Sequence, residues 1–293
     1  MDFLRPTTLP EALAIKAERP DAVPIAGGTD VMVELNFDHR RPAALLDLTG
    51  IAELAGWSTS DGTVRLGAGV PYVRVIAELG EKLPALAMAS RTVGSPQIRN
   101  RGTVGGNLGA ASPAGDTHPV LLAAGASVEV SSVRGSRVIP ADEFYLGVKR
   151  HALEADELIT AVHVPITGAP QQFSKVGTRN AMVIAVCSFA VALHPERSQV
   201  GAAVGSAAPT PRRALAAEEF LSGELTDKNL WGTRAAISDS VRRRFGELVS
   251  EASSPIDDVR GSAAYRKHAL AVLARRTLTW AWNDYQGSER SCA

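Results

Sequence analysis

Short strands and helices alternate along the first half of the chain, judged from the spacing of apolar and polar positions. Thr8, Leu9 and Pro10 predict a helix start, because threonine caps helices and proline fits a first turn. Helical periodicity returns at residues 73–94, with a break at Pro84. Strands are predicted where short apolar runs end at glycine, aspartate or proline, at residues 22–25, 43–51, 63–70, 127–140 and 156–165.

Turn residues connect several of these strands. Asp61-Gly62 predicts a hairpin turn between the runs at 43–51 and 63–70, and Arg134-Gly135 predicts a turn within residues 127–140. A tight glycine turn after the first strand leads into a helix or an extended segment that ends near residue 35.

The pattern changes near residues 168–178, where we place a domain boundary. Three runs after it predict an antiparallel meander, and three helical segments follow. The chain is therefore predicted to be α+β on both sides of the boundary. The predicted strands lie at 171–177, 182–195 and 199–211, and the helical segments at 211–223, 230–249 and 262–282. The predicted parts are a first domain at 1–175, a second at 176–285 and a polar tail at 286–293.

Composition excludes several classes of function. Lys+Arg and Asp+Glu both total 31, so the chain lacks the basic excess of a nucleic-acid-binding protein. Cys187 lies in an apolar run and Cys292 near the end, and no CxxC motif or Cys/His cluster offers a metal site. No run is long enough to span a membrane, and a signal-peptide pattern is missing, so a cytoplasmic protein is expected.

Two glycine motifs are the strongest candidates for a binding site: residues 26–30 (AGGTD) and residues 103–107 (TVGGN). Glycine turns expose successive backbone N–H groups that form anion-binding concavities. Thr29, Thr103 and Asn107 add polar side chains, and neither motif contains lysine. Two such turns suit a diphosphate, although glycine pairs also occur in purely structural turns. The spacing alone leaves these two interpretations about equal.

The second motif opens an unusually bare segment, TVGGNLGAASPAGD, which ends at Asp116. A carboxylate after a neutral stretch suits a ribose hydroxyl or an adenine amino group. Together with the two turns, it suggests a dinucleotide bound in extended form. The sequence contains no GxGxxG, GxxxxGK[ST] or GxSxG motif, which removes support for a Rossmann site, a P-loop or a hydrolase elbow.

Three segments in this order carry a family resemblance: PIAGGTDVMVEL, SPQIRNRGTVGGNLGAASPAGD and SAAYRKHALAVLARR. They resemble the flavin-binding medium subunit of the molybdenum hydroxylases, which include xanthine, carbon monoxide and nicotinate dehydrogenases. The resemblance covers residues 1–282, and within the family it is greatest to xanthine dehydrogenase subunits. It implies a two-lobed FAD-binding domain of the vanillyl-alcohol oxidase and p-cresol methylhydroxylase type, followed by a C-terminal α+β domain.

The resemblance also assigns residues to an extended FAD molecule. Asp116 is placed near the adenosine end, Ile159 beside the flavin ring and Lys175 near the flavin. Non-covalent FAD is expected, because Asn107 follows the second glycine pair and the next histidine is His118. Arg179 and Asn180 lack the aromatic pair that family members often carry nearby. The residues implied at the pyrophosphate and its ribose are Pro24, Ile25, Ala26, Gly27, Gly28, Thr29, Asp30, Thr103, Val104, Gly105, Gly106 and Asn107.

The implied activity is electron transfer, with no catalytic side chain and no metal in this chain. A large partner subunit would hold the molybdenum cofactor, a small one two [2Fe-2S] clusters, and NAD+ or another acceptor would take the electrons. The complex would be a dimer of heterotrimers of the xanthine dehydrogenase type. Alternatives are a carbon monoxide, nicotinate or aldehyde dehydrogenase of the same family, a stand-alone FAD oxidoreductase, and a scaffold whose flavin site has decayed.

Overall fold

A small parallel sheet forms the first lobe of the protein, which this computed structural model describes over residues 1–287. Its strand order is β1-β3-β2, and Ala12, Leu46 and Leu54 are buried beside it. Thr8 caps the first helix, as predicted, by accepting a hydrogen bond from the Glu11 N–H. The elements are β1 (Asp2–Leu4), α1 (Leu9–Glu18), β2 (Val23–Ile25), α2 (Val31–Asn36) and β3 (Ala44–Asp47).

The second lobe is a five-stranded antiparallel sheet in the order β4-β5-β10-β6-β7. Helices cover one face of it and form with that face the largest apolar cluster among residues 1–287. The strands are β4 (Trp57–Ser60), β5 (Thr63–Gly67), β6 (Ser127–Ser132), β7 (Gly135–Pro140) and β10 (Leu158–Pro165). The helices are α3 (Tyr72–Glu78), α4 (Pro84–Thr92), α5 (Pro96–Arg101), α6 (Val104–Ala110), α7 (His118–Ala124) and α8 (Ala141–Phe144), and a small hairpin consists of β8 (Tyr145–Gly147) and β9 (Arg150–His151).

One predicted hairpin joins a different pair of strands from the pair expected. Asp61-Gly62 connects β4 to β5, whereas the apolar run at 43–51 contains β3 of the first lobe. The sequence WSTS of β4 carries little apolar character, so its strand was not predicted. The hairpin of β6 and β7 turns at Val133 and Arg134, one residue before the predicted position.

The C-terminal domain is an antiparallel meander, β11-β12-β13-β14, as predicted for its first three strands. β11 begins at Gln171 and pairs with β12, so this strand is part of the C-terminal sheet. α12 includes residues 286 and 287 of the predicted tail, whereas residues 288–293 lie outside the described part. The strands are β11 (Gln171–Val176), β12 (Cys187–His194), β13 (Gln199–Gly205) and β14 (Arg212–Arg213). The helices are α9 (Leu215–Asp227), α10 (Leu230–Thr233), α11 (Asp239–Glu251) and α12 (Ala263–Gly287).

The second lobe and the C-terminal domain are in direct contact through α7, which packs on β12 and β13. Gly201 of β13 lies against the backbone of Ala123, where an added Cβ would come within 1.9 Å of the carbonyl oxygen. This contact holds the C-terminal sheet beside the second lobe. Within residues 1–287, no helix is long and apolar enough to cross a membrane.

A charged cluster on the second sheet makes acid stability a test of the fold. Glu129 accepts hydrogen bonds from Arg65 at 2.6 and 2.9 Å, Thr160 at 2.8 Å and His163 at 2.8 Å. The Arg65 guanidinium, more than the other partners, lowers the pKa of Glu129 from 4.5 to about 2. The stabilisation is therefore present above pH 4.5 and is lost as the pH falls towards 2.

Glu129→Gln should remove this part of the acid sensitivity. We expect the wild type to lose about 2 kcal/mol more unfolding free energy than the variant between neutral pH and pH 2. Urea unfolding at several pH values measures the difference, with the exposed Glu81→Gln as the control. Identical pH profiles for Glu129→Gln and the wild type would contradict the assigned role of the cluster.

Candidate functional site

A cleft of about 1000 Å³ lies between the two lobes, and the C-terminal domain reaches its edge through Lys175, Val183 and Ile184. Most of the residues predicted from sequence line it. Ile25 and Val104 do not, because their side chains are buried in the apolar clusters on either side. The predicted residues that line the cleft are Pro24, Ala26, Gly27, Gly28, Thr29, Asp30, Thr103, Gly105, Gly106, Asn107, Asp116, Ile159 and Lys175.

The two glycine motifs meet along one wall of the cleft. A Cβ added at Gly27 would lie 2.0 Å from the Arg101 carbonyl oxygen, so the two backbones are in contact there. Gly28 has a φ of 76°, a conformation that glycine adopts at little cost. A Cβ at Gly105 would lie 2.5 Å from that of Ala68. These three glycines are therefore required by the packing and the turn geometry of the chain itself.

Other glycines of the bare segment leave space on the side of the cleft. A Cβ at Gly106 would meet only the Thr103 hydroxyl oxygen, at 3.1 Å, and one at Gly109 would meet only Ile159, at 3.9 Å. Gly115, in contrast, packs against His118. The segment therefore lacks side chains for two reasons. Packing within the protein explains Gly105 and Gly115, whereas Gly106 and Gly109 leave room for a ligand.

The second motif is the start of a helix, not a turn. Thr103 caps α6 by accepting a hydrogen bond from the Gly106 N–H at 2.8 Å, so this N–H is already engaged. Asn107 Oδ1 accepts from the Thr117 hydroxyl at 2.8 Å. Within residues 1–287 the Asn107 Nδ2 group has no hydrogen-bond partner in the protein, which leaves a donor for the cleft.

Asp116 and Lys175 form an ion pair of 2.6 Å, and their side chains are 6% and 8% exposed. The Thr92 hydroxyl also donates to Asp116 Oδ2, at 2.9 Å. Among the described residues nothing donates to Asp116 Oδ1, although this atom is buried at the cleft. Burial raises the pKa of the Asp116 carboxyl, while Lys175 and Thr92 oppose the shift. An acceptor without a partner at this position fits a polar ligand group.

This ion pair corrects the assignment of the two residues to different ends of a ligand. An extended dinucleotide cannot bring its adenosine end to Asp116 and its flavin to Lys175, since the two side chains touch. Lys175 also donates to the Thr92 carbonyl at 3.1 Å, which fixes it beside α4. Asp116 and Lys175 therefore face the same end of the cleft.

A buried histidine supports the turn that carries Asp116. His118 is fully buried, and its Nδ1 shares a 2.8 Å hydrogen bond with the Tyr145 hydroxyl. Burial lowers the pKa of His118 from 6.5 to about 3, so the ring is neutral at physiological pH. A Cβ at Gly115 would lie 2.2 Å from its Nε2. The residue is therefore part of the packing beneath the turn that carries Asp116.

Several lining residues have no signal in the sequence. Lys16 of α1 is buried, and its Nζ donates to the carbonyls of Pro20 and Ala22 at 2.7 and 2.8 Å. At the mouth of the cleft, Lys149 donates to Glu34 at 2.8 Å and so joins the two lobes. Such contacts connect distant positions of the chain, and local patterns do not reveal them. Residues 1–287 contain no group of three or more His, Cys, Asp or Glu side chains suited to a metal.

The two-lobed fold and its glycine-walled cleft suit an extended polar ligand, and comparisons with known proteins give the family. The profile described as "FAD binding domain in molybdopterin dehydrogenase" matches residues 1–167, and that of the "CO dehydrogenase flavoprotein C-terminal domain" matches residues 172–281. The beta subunit of caffeine dehydrogenase from Pseudomonas sp. (strain CBB1) is 37% identical over 241 residues, which are 78% of this chain and 80% of the relative.

Two further relatives match over almost the whole length. The xanthine dehydrogenase FAD-binding subunit of Escherichia coli O157:H7 is 31% identical over 290 residues, or 94% of each chain. The solved structure of reconstituted CO dehydrogenase from Oligotropha carboxidovorans has a TM-score of 0.89 and 28% identity, with 97% of this chain and 98% of that chain covered. The protein belongs to the FAD-binding medium subunits of the molybdenum hydroxylase family. The predicted family and the predicted α+β fold are confirmed.

Proposed function

We propose that this chain is the electron-transfer subunit of a molybdenum hydroxylase and holds FAD non-covalently in the cleft between its lobes. The observation that carries the proposal is Asp116, which lines a cleft walled by glycine and whose buried Oδ1 has no donor among the described residues. When bound, the flavin supplies redox chemistry that links one-electron donors to a two-electron acceptor, while the protein supplies its position and electrostatics.

The residues of the two glycine motifs are proposed to hold the diphosphate and its ribose. Gly106 and Gly109 permit close approach, because both line the cleft without a side chain and an added Cβ at either would meet only one protein atom. Asn107 donates through Nδ2, with its orientation set by Thr117. Ile25 and Val104 contribute backbone only, since their side chains are buried elsewhere. These donors are neutral. Water would therefore still solvate part of the diphosphate charge.

Asp116 and Lys175 are proposed to contact the flavin end together. Lys175 supplies a fixed positive charge, and Asp116 Oδ1 accepts a hydrogen bond from a ligand N–H or O–H group. Ile159 of β10 offers an apolar surface beside Gly109. It is proposed to lie beside the flavin ring. The chain thereby orients the cofactor without an acid or base of its own.

The proposed partners are a large molybdopterin-binding subunit and a small [2Fe-2S] subunit, in a cytoplasmic dimer of heterotrimers. NAD+ is the proposed acceptor. We propose a purine as the substrate of the large subunit, because two relatives are named for xanthine and caffeine, and both compounds are purines. Carbon monoxide, nicotinate and aldehydes are the alternative substrates within the family.

Gentle purification of the native protein tests this proposal. We expect two copurifying chains, with FAD, molybdenum and iron in the same sample, and reduction of NAD+ when xanthine or caffeine is added. Activity with carbon monoxide, nicotinate or an aldehyde instead would move the substrate assignment within the family. FAD on a lone, metal-free chain that turns over a substrate would contradict the subunit role, and a colourless protein would indicate a decayed scaffold.

A further inference from the structure

The C-terminal segment SAAYRKH contains a buried arginine that the proposed FAD site does not use directly. Arg266, near the start of α12, is 4% exposed. Its guanidinium donates to the Ser206 carbonyl oxygen at 2.7 Å and to Asp258 Oδ1 at 2.5 Å. One planar group therefore clamps the end of strand β13 to the loop before α12.

Ser206 is the residue through which this clamp reaches the cleft. It has a φ of 58°, which is unfavourable for a residue other than glycine. Its N–H donates to the Pro113 carbonyl at 2.8 Å, and its hydroxyl donates to the Ala185 carbonyl at 2.6 Å. All three polar groups of Ser206 are thus engaged, each with a different segment, and these bonds hold its unfavourable conformation.

Two of the three segments that Ser206 contacts contain residues that line the cleft. Pro113 lies between Ser112 and Ala114, which line the cleft four and two residues before Asp116. Ala185 directly follows Val183 and Ile184, the lining residues from the C-terminal domain. The hydrogen bonds of Ser206 therefore join the wall of the second lobe to the wall of the C-terminal domain.

We propose that Arg266 is a positioning residue for FAD: by fixing Ser206 it sets the spacing of these two walls, and so the affinity of the cleft. This inference rests on the proposed FAD site.

Arg266→Lys tests whether Arg266 affects FAD binding. Lysine keeps the positive charge but cannot donate to both Ser206 and Asp258 from one planar group. The matched control is Arg213→Lys in the same domain, since Arg213 donates to the buried Glu218 at 2.5 Å, away from the cleft. FAD binding is measured by flavin fluorescence at a temperature where all proteins are folded. We expect Arg266→Lys to weaken FAD binding about tenfold and the control less than about twofold. The absorption spectrum of the remaining bound FAD should shift towards that of free FAD.

Ser206→Ala provides a second test that does not disturb the buried charge. It deletes only the hydroxyl bond to Ala185 and should weaken FAD binding in the same direction, which keeps the proposal testable if Arg266→Lys fails to fold. Wild-type FAD affinity in the folded variants would overturn the role of Arg266 while leaving the FAD site intact. A wild-type chain that binds no FAD would overturn both proposals.

Discussion

Replacing Gly106 by valine should abolish FAD retention and leave a folded chain. The added Cβ meets only the Thr103 hydroxyl oxygen, at 3.1 Å, so a small shift of that hydroxyl accommodates it, and because Gly106 lines the cleft the larger side chain takes space from the ligand. Valine is also no worse than glycine in a helix, which removes the main cost to stability. The variant is purified beside the wild type, and the ratio of FAD to protein is compared with the melting temperature of each chain.

Gly223→Val is the matched control for this experiment. Gly223 also lies within a helix, α9, and an added Cβ there has nothing within 4 Å. We expect the control to keep a full complement of FAD. Changes at Gly27 or Gly105 are less informative, because an added Cβ would collide with the protein itself. A Gly106→Val chain that retains one FAD would show that this stretch of the cleft does not bind the cofactor.

Lys175→Met should both destabilise the chain and weaken FAD binding. It leaves the Asp116 carboxylate buried, with only the Thr92 hydroxyl as a donor. Removal of one partner from a buried ion pair typically costs about 3–5 kcal/mol. We expect a loss of about 3 kcal/mol in the unfolding free energy of the FAD-free chain, measured by urea unfolding. FAD affinity should fall as well, because the fixed positive charge at that end of the cleft is gone.

A double-mutant cycle separates the two effects. Asp116→Asn in the Lys175→Met background removes the unpaired charge and should restore most of the lost stability. It should not restore FAD binding, since the amide carries neither the lysine charge nor a carboxylate. If the double variant binds FAD like the wild type, the pair is only structural. If Lys175→Met costs no stability, the two side chains do not form the buried pair that the structure shows.

Local patterns predicted the parts of the fold that depend on neighbouring residues. The cap at Thr8 and the break before α4 at Pro84 follow from short-range hydrogen bonding and backbone sterics. β4 was not predicted because its sequence, WSTS, is mostly polar and exposed. It forms a strand through its pairing with β5, which its own sequence does not indicate. The single helical segment predicted at 230–249 is two helices, α10 and α11, separated by a left-handed Arg234.

The binding site was predictable as two glycine motifs but not as an arrangement of side chains. Composition cannot distinguish Gly105, which packs on Ala68, from Gly106, which faces the cleft. The ion pair of Asp116 and Lys175 joins residues 59 positions apart, and its position corrected the assignment of the two to opposite ends. Such pairings depend on how the second lobe packs against the C-terminal domain, which the pattern of any one segment does not show.

The most direct test of FAD binding in this cleft is acid release of the cofactor from the purified protein. The protein is precipitated with acid, and the flavin in the supernatant is identified by mass and counted against the protein. Non-covalent binding in the cleft predicts one FAD per chain, all of it in the supernatant. A chain without flavin, or flavin that remains attached to the precipitate, would contradict it.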